Sequence, residues 1–146
     1  MATESGKIAL PVLDHLGVVV EDIDKAKQFF SQVFGLGPWQ VINYAPTRDE
    51  LLIGEPFRIR IAVARQESLV VELVQPIEGK SIWGDFLESK GEGLQHIAFT
   101  VLNWDETVQI MKQVGTRMVA GGIINSKRWC YFETNPGGLV VEYEEK

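Results

Sequence analysis

The side chains best suited to chemistry in this sequence are two histidines and two glutamates that occur in a repeat. His15 and His96 are the only two histidines, and each begins an apolar stretch, LGVVV or IAFTV. Glu72 and Glu142 each end the same four residues, LVVE. Neutral imidazole and carboxylate are good ligands for zinc-like and iron-like divalent ions. The doubled pattern therefore predicts a metal site.

The strand pattern predicts that these side chains point away from the bulky apolar faces of their strands. Side chains alternate across a strand, so His15 shares a face with Gly17, and His96 shares a face with Ala98. Both glutamates interrupt strongly apolar strands, where a carboxylate is costly unless a charge or a metal compensates it. We therefore expect the two histidines and two glutamates to converge on one ion.

The elements that must position these residues follow the same order in both halves. Asp22 and Asn103, each seven residues after a histidine, are candidate helix N-caps. Apolar residues then recur at spacings of three and four, which predicts amphipathic helices that pack in the core. The first should end around Gly35 or Gly37 and the second at Gly115. The first apolar stripe consists of Ile23, Ala26, Phe29, Phe30 and Val33.

Extended segments with turn residues between them follow each predicted helix. They are FRIRIAVAR and SLVVELVQP in the first half, and RWCYFET and LVVEYEEK in the second. In FRIRIAVAR the residues Arg58, Arg60 and Ala62 alternate with bulky apolar ones, which predicts a strand with one wetter face. Each half is thus predicted as strand, helix and about three strands.

Together these patterns predict one domain over residues 11–145 that is made of two modules. Module one covers about 11–76, a linker helix lies within about 80–92, and module two covers about 93–145. The first half is longer than the second by a polar segment with turn-forming residues, TRDELLIGEP. We expect this insertion to form a loop over the site.

Composition and charge narrow the class of protein. The formal net charge of -6 argues against a nucleic-acid-binding surface. The first residues lack a basic stretch followed by a long apolar run, and no later stretch is long enough for a membrane span, so we expect a cytoplasmic protein. Cys130, the only cysteine, lies in WCYF and is expected to be a buried small hydrophobe. Core packing is also expected for Trp39, Trp83 and Trp129.

The segments DHLGVVVEDIDKAKQFF, VVELVQP, GEGLQHIAFTV and GGLVVEYE resemble the vicinal oxygen chelate superfamily, which includes glyoxalases, bleomycin resistance proteins and extradiol dioxygenases. The resemblance runs from about residue 13 to residue 144. It implies an α+β fold of two βαβββ modules, whose cupped mixed sheets surround a divalent ion. The ligands it implies are His15, Glu72, His96 and Glu142, and the ion could be Zn, Co, Ni or Mn. Open coordination positions would take water or substrate.

Within this superfamily the chain is most similar to the methylmalonyl-CoA epimerase branch. The similarity implies an isomerase or epimerase that removes a proton beside a carbonyl or thioester held at the metal. Glu142 is then a candidate for one acid–base role and Glu55 for the other, with Glu50 as a weaker choice. The implied substrate is an acyl-CoA or a keto–thiol adduct, and the implied assembly is a homodimer.

The chain departs from the epimerase pattern just before its last strand. Epimerases usually have a glycine-rich turn followed by Lys-Val-Ala-Phe, whereas this chain has INSKRWCYFET, which contains the bulky Trp129 and Tyr131. CoA phosphates favour basic neighbours, and Lys127 and Arg128 form the only adjacent basic pair in the second half.

Three other functions remain open. A lactoylglutathione lyase has a similar four-ligand metal and a proton-carrying glutamate. An extradiol dioxygenase holds iron(II) with two histidines and one glutamate, so Glu72 would occupy a position needed by substrate and dioxygen. A bleomycin-resistance-type protein would bind a planar ligand without chemistry, and the aromatic residues Trp39, Trp83, Trp129 and Tyr131 would suit stacking.

Overall fold

The computed structural model describes residues 12–146, which form two compact units. The first unit contains His15–Arg48 and Glu55–Gln95, and the second contains residues 12–14, Asp49–Gly54 and His96–Lys146. The predicted domain start at Pro11 lies outside the described residues. Three α-helices and nine strands within residues 12–146 confirm the predicted α+β fold.

Three helices and nine strands follow one another along residues 12–146. In order they are β1 (Val12–Val19), α1 (Ile23–Phe34), β2 (Trp39–Tyr44), a 3-10 turn (Arg48–Glu50), β3 (Leu51–Ile53), β4 (Arg58–Gln66), β5 (Leu69–Glu78), α2 (Ile82–Lys90), β6 (Gly93–Val101), α3 (Trp104–Gln113), β7 (Arg117–Ile124), β8 (Lys127–Glu133) and β9 (Val140–Glu145). Strands of the first unit are hydrogen-bonded in the order β2-β4-β5-β1, and strands of the second in the order β6-β9-β8-β7-β3.

Helix α1 begins after the predicted cap Asp22 and ends at Gly35, the first of the two glycines predicted to end it. The Asp22 carboxylate accepts hydrogen bonds from the backbone N–H groups of Asp24 and Lys25, at 3.0 and 3.1 Å. Gly35 ends the helix in a left-handed conformation with φ of 69°, which glycine adopts without strain.

Only part of the predicted apolar stripe of α1 is buried. Ile23 is fully buried, and Ala26 and Phe30 pack partly buried against the core of the first unit. Phe29 and Val33 are more than half exposed, so the prediction that the whole stripe is core was wrong for them. Residues one step apart lie about 100° apart around a helix, so Phe29 lies beside Phe30 and off the buried line.

The other two helices also begin at polar caps. Asn103 caps α3, where its side-chain oxygen accepts the Glu106 N–H at 3.1 Å. Ser81 caps α2, where its hydroxyl accepts the Gly84 N–H at 3.1 Å, and α2 lies within the predicted linker. None of the helices in residues 12–146 is long and apolar enough for a membrane crossing.

Parallel pairing of the first and last strands gives both units the same register around a glutamate. In the first unit β1 pairs with β5, and Gly17 lies opposite Glu72. In the second unit β6 pairs with β9, and Ala98 lies opposite Glu142. Each glutamate therefore lies opposite a small residue that stands two positions after a histidine.

The inserted segment TRDELLIGEP, which we expected to be a loop, is partly regular. It contains the 3-10 turn and β3, and β3 pairs antiparallel with β7, where Leu51 lies opposite Gly122. A Cβ atom added to Gly122 would lie 2.9 Å from the Glu50 carbonyl oxygen and 2.9 Å from the Trp129 ring. The absence of a side chain at Gly122 therefore allows the segment to lie close to β7.

The core of the second unit encloses the cysteine and one face of β8. Cys130 is fully buried, as predicted, and packs with Phe132, Val141 and Tyr143. Burial, reinforced by the negative charge of Glu142, raises the pKa of the Cys130 thiol. Cys130 therefore stays a neutral thiol and is unsuited to be a thiolate ligand.

Arg128, on β8, contacts both the end of β9 and the start of α3. Its guanidinium is 2.6 Å from the Glu145 carboxylate and 3.4 Å from the Asp105 carboxylate. It also lies over the Trp104 ring, 5.1 Å from the ring centroid. The side-chain and backbone hydrogen bonds from Arg128 lower the pKa of Glu145 to about 2. The charge of Arg128 is thus engaged by two carboxylates.

Candidate functional site

His15 and Glu72 lie side by side in the first unit. They come from the parallel neighbours β1 and β5, on the face where Gly17 has no side chain. His15 Nε2 is 3.4 Å from Glu72 Oε2, and the two side chains are 4% and 14% exposed. The structure therefore pairs the predicted histidine and glutamate of the first module.

The second unit repeats this arrangement with His96 and Glu142. Their strands, β6 and β9, are again parallel neighbours, and the small residue opposite the glutamate is Ala98. His96 Nε2 is 3.2 Å from Glu142 Oε2, and the side chains are 0% and 7% exposed. The two units thus contain pairs with the same donors, the same strand register and nearly the same separation.

The nitrogen–oxygen distance in each pair suits two atoms that bind the same divalent ion. Two atoms that each lie about 2.1 Å from one ion, at ligand angles of about 90° to 110°, are roughly 3.0 to 3.4 Å apart. The nitrogen–oxygen distances of 3.4 and 3.2 Å agree with that spacing. Imidazole nitrogen and carboxylate oxygen are donors that could hold a metal ion, and an ion would compensate the buried negative charge.

Tyr131 adds a hydroxyl group to the pair in the second unit. It lies on β8 directly across from Glu142 on β9, and its side chain is 2% exposed. Its hydroxyl oxygen is 3.3 Å from His96 Nε2, and the two rings meet edge to face with centroids 4.8 Å apart. The Trp129 ring packs against Tyr131 at 5.7 Å. Tyr131 therefore contacts the histidine nitrogen that also faces the Glu142 carboxylate.

From the sequence, Tyr131 was predicted only as a bulky aromatic residue suited to stacking, and its contact with His96 was not predicted. A signal for the position of Tyr131 opposite Glu142 is nevertheless present in the sequence. The turn NPGG, residues 135–138, connects β8 to β9, and Tyr131 and Glu142 are equally far from the middle of that turn. Antiparallel pairing about this turn places Tyr131 opposite Glu142, and alternation then places both on one face.

Glu55, the predicted second acid–base residue, belongs to the first unit and lies at the surface. Its carboxylate is 2.6 Å from the Arg48 guanidinium, and its side chain is 64% exposed. Glu50, the weaker choice, belongs to the second unit together with His96 and Glu142. Its backbone carbonyl lies close to Gly122 on β7.

The tryptophans are packed, as expected. Trp83 is buried against Phe57, with ring centroids 5.2 Å apart. Trp39 packs partly buried against the core of the first unit, and its indole N–H donates to the Ser31 hydroxyl at 2.9 Å. Trp129 is also buried, but it differs from the other two because it touches Tyr131 and so lies one side chain away from His96.

Comparison with known proteins identifies the family. Residues 14–132 match the sequence model of the Glyoxalase/Bleomycin resistance protein/Dioxygenase superfamily. The uncharacterized protein YqjC of Bacillus subtilis (strain 168) is 31% identical over 107 residues, which cover 73% of this chain and 69% of that protein. The chain therefore belongs to the glyoxalase/bleomycin resistance/dioxygenase superfamily, as the resemblance in its sequence implied.

Solved structures of methylmalonyl-CoA epimerases share the fold. The enzyme from Mycobacterium tuberculosis superposes with a TM-score of 0.70 at 21% identity, covering 97% of this chain and 95% of that one. A variant of the Streptomyces coelicolor enzyme, in complex with 2-nitronate-propionyl-CoA, gives a TM-score of 0.69 at 20% identity and covers 94% and 99%. At these identities the likeness shows the fold alone.

Proposed function

We propose that this protein is a divalent-metal-dependent isomerase or epimerase that acts at the carbon next to a carbonyl or thioester, in the manner of methylmalonyl-CoA epimerase. In this proposal His15, Glu72, His96 and Glu142 hold one ion. The observation that carries the proposal is the equivalence of the two pairs, which have the same donors in the same strand register. Family membership and the fold shared with epimerases support it.

In the proposed reaction the metal ion and the protein side chains would have separate roles. A bound divalent ion supplies a Lewis acid that stabilises negative charge on the oxygen beside the carbon that loses its proton. Glu142 is proposed to remove or deliver the proton on one face of the carbon, and the second acid–base group is proposed to do so on the opposite face, as inversion requires. The Glu142 side chain is 7% exposed, which suits a group that must hold a proton away from bulk water.

The second acid–base group is proposed to be a glutamate of the 3-10 turn or of the residues that follow β3. Glu55 is our sequence-based candidate, although its carboxylate is engaged by Arg48 at 2.6 Å. Glu50 is supported by the position of its turn, which packs against Gly122. The Trp129 ring also lies close to Gly122, and it contacts Tyr131. Solvent-deuterium incorporation, measured separately for each epimer of the substrate, separates them. Only the variant Glu50→Gln or Glu55→Gln that lacks the acting base should lose incorporation into one epimer, because Glu142 still exchanges the proton on the other face.

The proposed substrate is an acyl-CoA thioester or a keto–thiol adduct. An acyl-CoA is supported by the epimerase structure in complex with 2-nitronate-propionyl-CoA. Arg128 is less suited than predicted to contact CoA phosphates, because its charge is already paired with Glu145 and Asp105. Lys127, which is exposed at the start of β8, remains the basic residue of that pair.

The experiment that tests this function begins with elemental analysis of the protein as isolated. The protein, loaded in turn with Zn, Co, Ni and Mn, is then assayed with racemic methylmalonyl-CoA and with the methylglyoxal–glutathione adduct. We expect metal-dependent proton exchange in the first assay, and turnover only in the second would favour a lactoylglutathione lyase. Catechol-dependent oxygen uptake by an iron-containing protein would favour an extradiol dioxygenase.

Two variants connect the activity to the ligands. Glu72→Ala and Glu142→Ala should each lose bound metal together with activity. Metal retained in both variants would contradict the four-ligand arrangement. A protein that binds a planar ligand equally well after His96→Ala, and that takes up no divalent ion, would instead be a binding protein without chemistry.

A further inference from the structure

Two aromatic rings on β8 lie on the same face as the proposed ligands of the second unit. Side chains alternate along a strand, so Trp129 and Tyr131 share one face, while Cys130 points into the apolar core. Tyr131 lies directly across from Glu142 on β9, and its ring meets the His96 ring edge to face, with centroids 4.8 Å apart. The face that carries the His96–Glu142 pair is therefore continued along β8 by aromatic side chains.

The neighbouring strand β7 contributes small residues to this face. Ala120 lies opposite Tyr131, and Gly122 lies opposite Trp129. Residues this small fill little of the space above the sheet, and the two rings fill it instead, since Trp129 is 5% exposed and Tyr131 is 2% exposed. We call these two rings, of Tyr131 and Trp129, the aromatic wall.

Trp129 packs against both Tyr131 and Gly122. Its ring meets the Tyr131 ring edge to face, with centroids 5.7 Å apart and an interplanar angle of 82°. It also lies so close to β7 that a Cβ atom added to Gly122 would be 2.9 Å from the indole Cζ2 atom. A smaller side chain in place of such a packed ring leaves a cavity or lets its neighbours move into the space. The space next to the Tyr131 ring therefore depends on the size of the Trp129 side chain.

We infer that the aromatic wall limits the size of the acyl group that the protein accepts, so that short acyl groups fit beside the His96–Glu142 pair and longer ones are excluded. This inference rests on the proposed function, in which the reacting carbon lies within reach of the Glu142 carboxylate. Groups attached to that carbon and extending along β8 then meet the two rings. Steric exclusion by a filled space selects against the larger ligand. Among acyl-CoA thioesters and keto–thiol adducts, those with short acyl groups are therefore the substrates.

Two hydroxamates measure this size limit independently of the true substrate. Acetohydroxamate and hexanohydroxamate present the same adjacent oxygens to a metal ion and differ only in the length of the acyl chain. Each is titrated by calorimetry into the full-length protein loaded with Co²⁺. The quantity compared between variants is the affinity for hexanohydroxamate divided by the affinity for acetohydroxamate, which we call the size ratio.

Smaller side chains in the aromatic wall should raise the size ratio. We expect a rise of about tenfold or more in Trp129→Leu, because even one methylene group in an apolar pocket changes affinity by roughly 10- to 200-fold. Tyr131→Leu should raise the ratio as well, since it removes the ring next to the pair. Acetohydroxamate already fits, so its affinity should change much less in Trp129→Leu. With turned-over thioesters, kcat/KM for a longer acyl group should rise relative to that for a shorter one.

Two control variants separate the size of the rings from other effects. Tyr131→Phe removes the hydroxyl and keeps the ring, so its size ratio should equal that of the unaltered protein. Trp104→Leu removes another buried indole of the second unit, but Trp104 packs in the apolar core with Phe99 and Phe132. This control should lower the melting temperature and leave the size ratio unchanged.

The outcomes separate this inference from the proposed function. An unchanged size ratio in Trp129→Leu and Tyr131→Leu, with Co²⁺ bound by both, overturns the size limit and leaves the metal site standing. Equal weakening of both hydroxamates is such a result and would make the rings only a support of the ligands. If Trp129→Leu does not fold, Trp129→Phe decides, because a smaller rise in the ratio supports the inference and an unchanged ratio overturns it. If the unaltered protein takes up no Co²⁺, the metal site and the size limit fail together.

Discussion

At the scale of single residues, the Glu142 carboxylate is expected to strengthen metal binding and to lower the stability of the metal-free protein. Its side chain is 7% exposed beside His96. A buried carboxylate has a desolvation cost that a neutral amide of the same shape avoids. We expect Glu142→Gln to leave the melting temperature of the metal-free protein unchanged or to raise it by about 2–4 °C. Calorimetry should show Zn²⁺ binding weakened at least about tenfold.

The matched control for this prediction is Glu133→Gln. Glu133 ends β8, is 57% exposed and pairs with Arg117 at 3.4 Å. Exposed ion pairs contribute little to stability, so the melting temperature should not change measurably. Zn²⁺ affinity should also stay the same, because Glu133 is not a proposed ligand. A clear loss of metal-free stability in Glu142→Gln, with Zn²⁺ affinity unchanged, would mean that the carboxylate is a structural partner of His96 and not a ligand.

The sequence reveals residues whose chemical type conflicts with their surroundings. A histidine or glutamate within an apolar strand needs a special explanation, and the predicted His15, Glu72, His96 and Glu142 are indeed brought together within their units as two pairs. Tyr131 raises no such conflict, because tyrosine is common in half-buried strands. Its contact with His96 joins residues 35 positions apart, which no local pattern reports.

At the scale of elements, periodicity located the strands better than it identified their buried faces. The alternation in β4 marked Ala62 as part of a wetter face. In the structure Ala62 and Ala64 are buried in the core of the first unit, in the same cluster as Ile23 of α1. A helix approaches a sheet most closely over small side chains, so the less hydrophobic face was the one that α1 covers.

The contact between the inserted segment and β7 gives a prediction at this scale. A Cβ atom at Gly122 would lie 2.9 Å from the Glu50 carbonyl oxygen and from the Trp129 ring. Gly122→Ala therefore forces the 3-10 turn or Trp129 to move and should destabilise the protein by about 1–3 kcal/mol, the usual cost of overpacking. Urea unfolding followed by tryptophan fluorescence measures this loss.

An opposite change serves as the control for the Gly122 prediction. Gly84 lies in the first turn of α2, and its added Cβ would meet the Ser81 hydroxyl oxygen at 3.4 Å, an ordinary contact. Alanine favours a helix over glycine, so Gly84→Ala should raise stability by about 0.5–1 kcal/mol. Equal unfolding curves for Gly122→Ala and the unaltered protein would show that the segment does not depend on this close approach.

At the scale of the whole molecule, the two His–Glu pairs belong to different compact units. Periodicity and turn residues could predict the repeat that creates this division, because each unit repeats the same local pattern. They could not assign Asp49–Gly54 to the unit of the second module. That assignment depends on the pairing of β3 with β7, which joins segments about 70 residues apart. On β7 the paired residues are Gly121 and Gly122, and neither gives a local sequence signal for this pairing.

The single-ion proposal predicts a stoichiometry and a pattern of additivity. A ligand at about 100 times its Kd stabilises the folded state by about 2.7 kcal/mol, so saturating Zn²⁺ should raise the melting temperature by roughly 5–10 °C and a chelator should reverse the rise. Calorimetry should find one ion per chain. His15→Ala and His96→Ala should each abolish the Zn²⁺-dependent rise, and the double variant should lose no more, because either substitution breaks the same site. Two ions per chain, or half of the rise lost in each single variant, would instead mean that each unit binds an ion of its own.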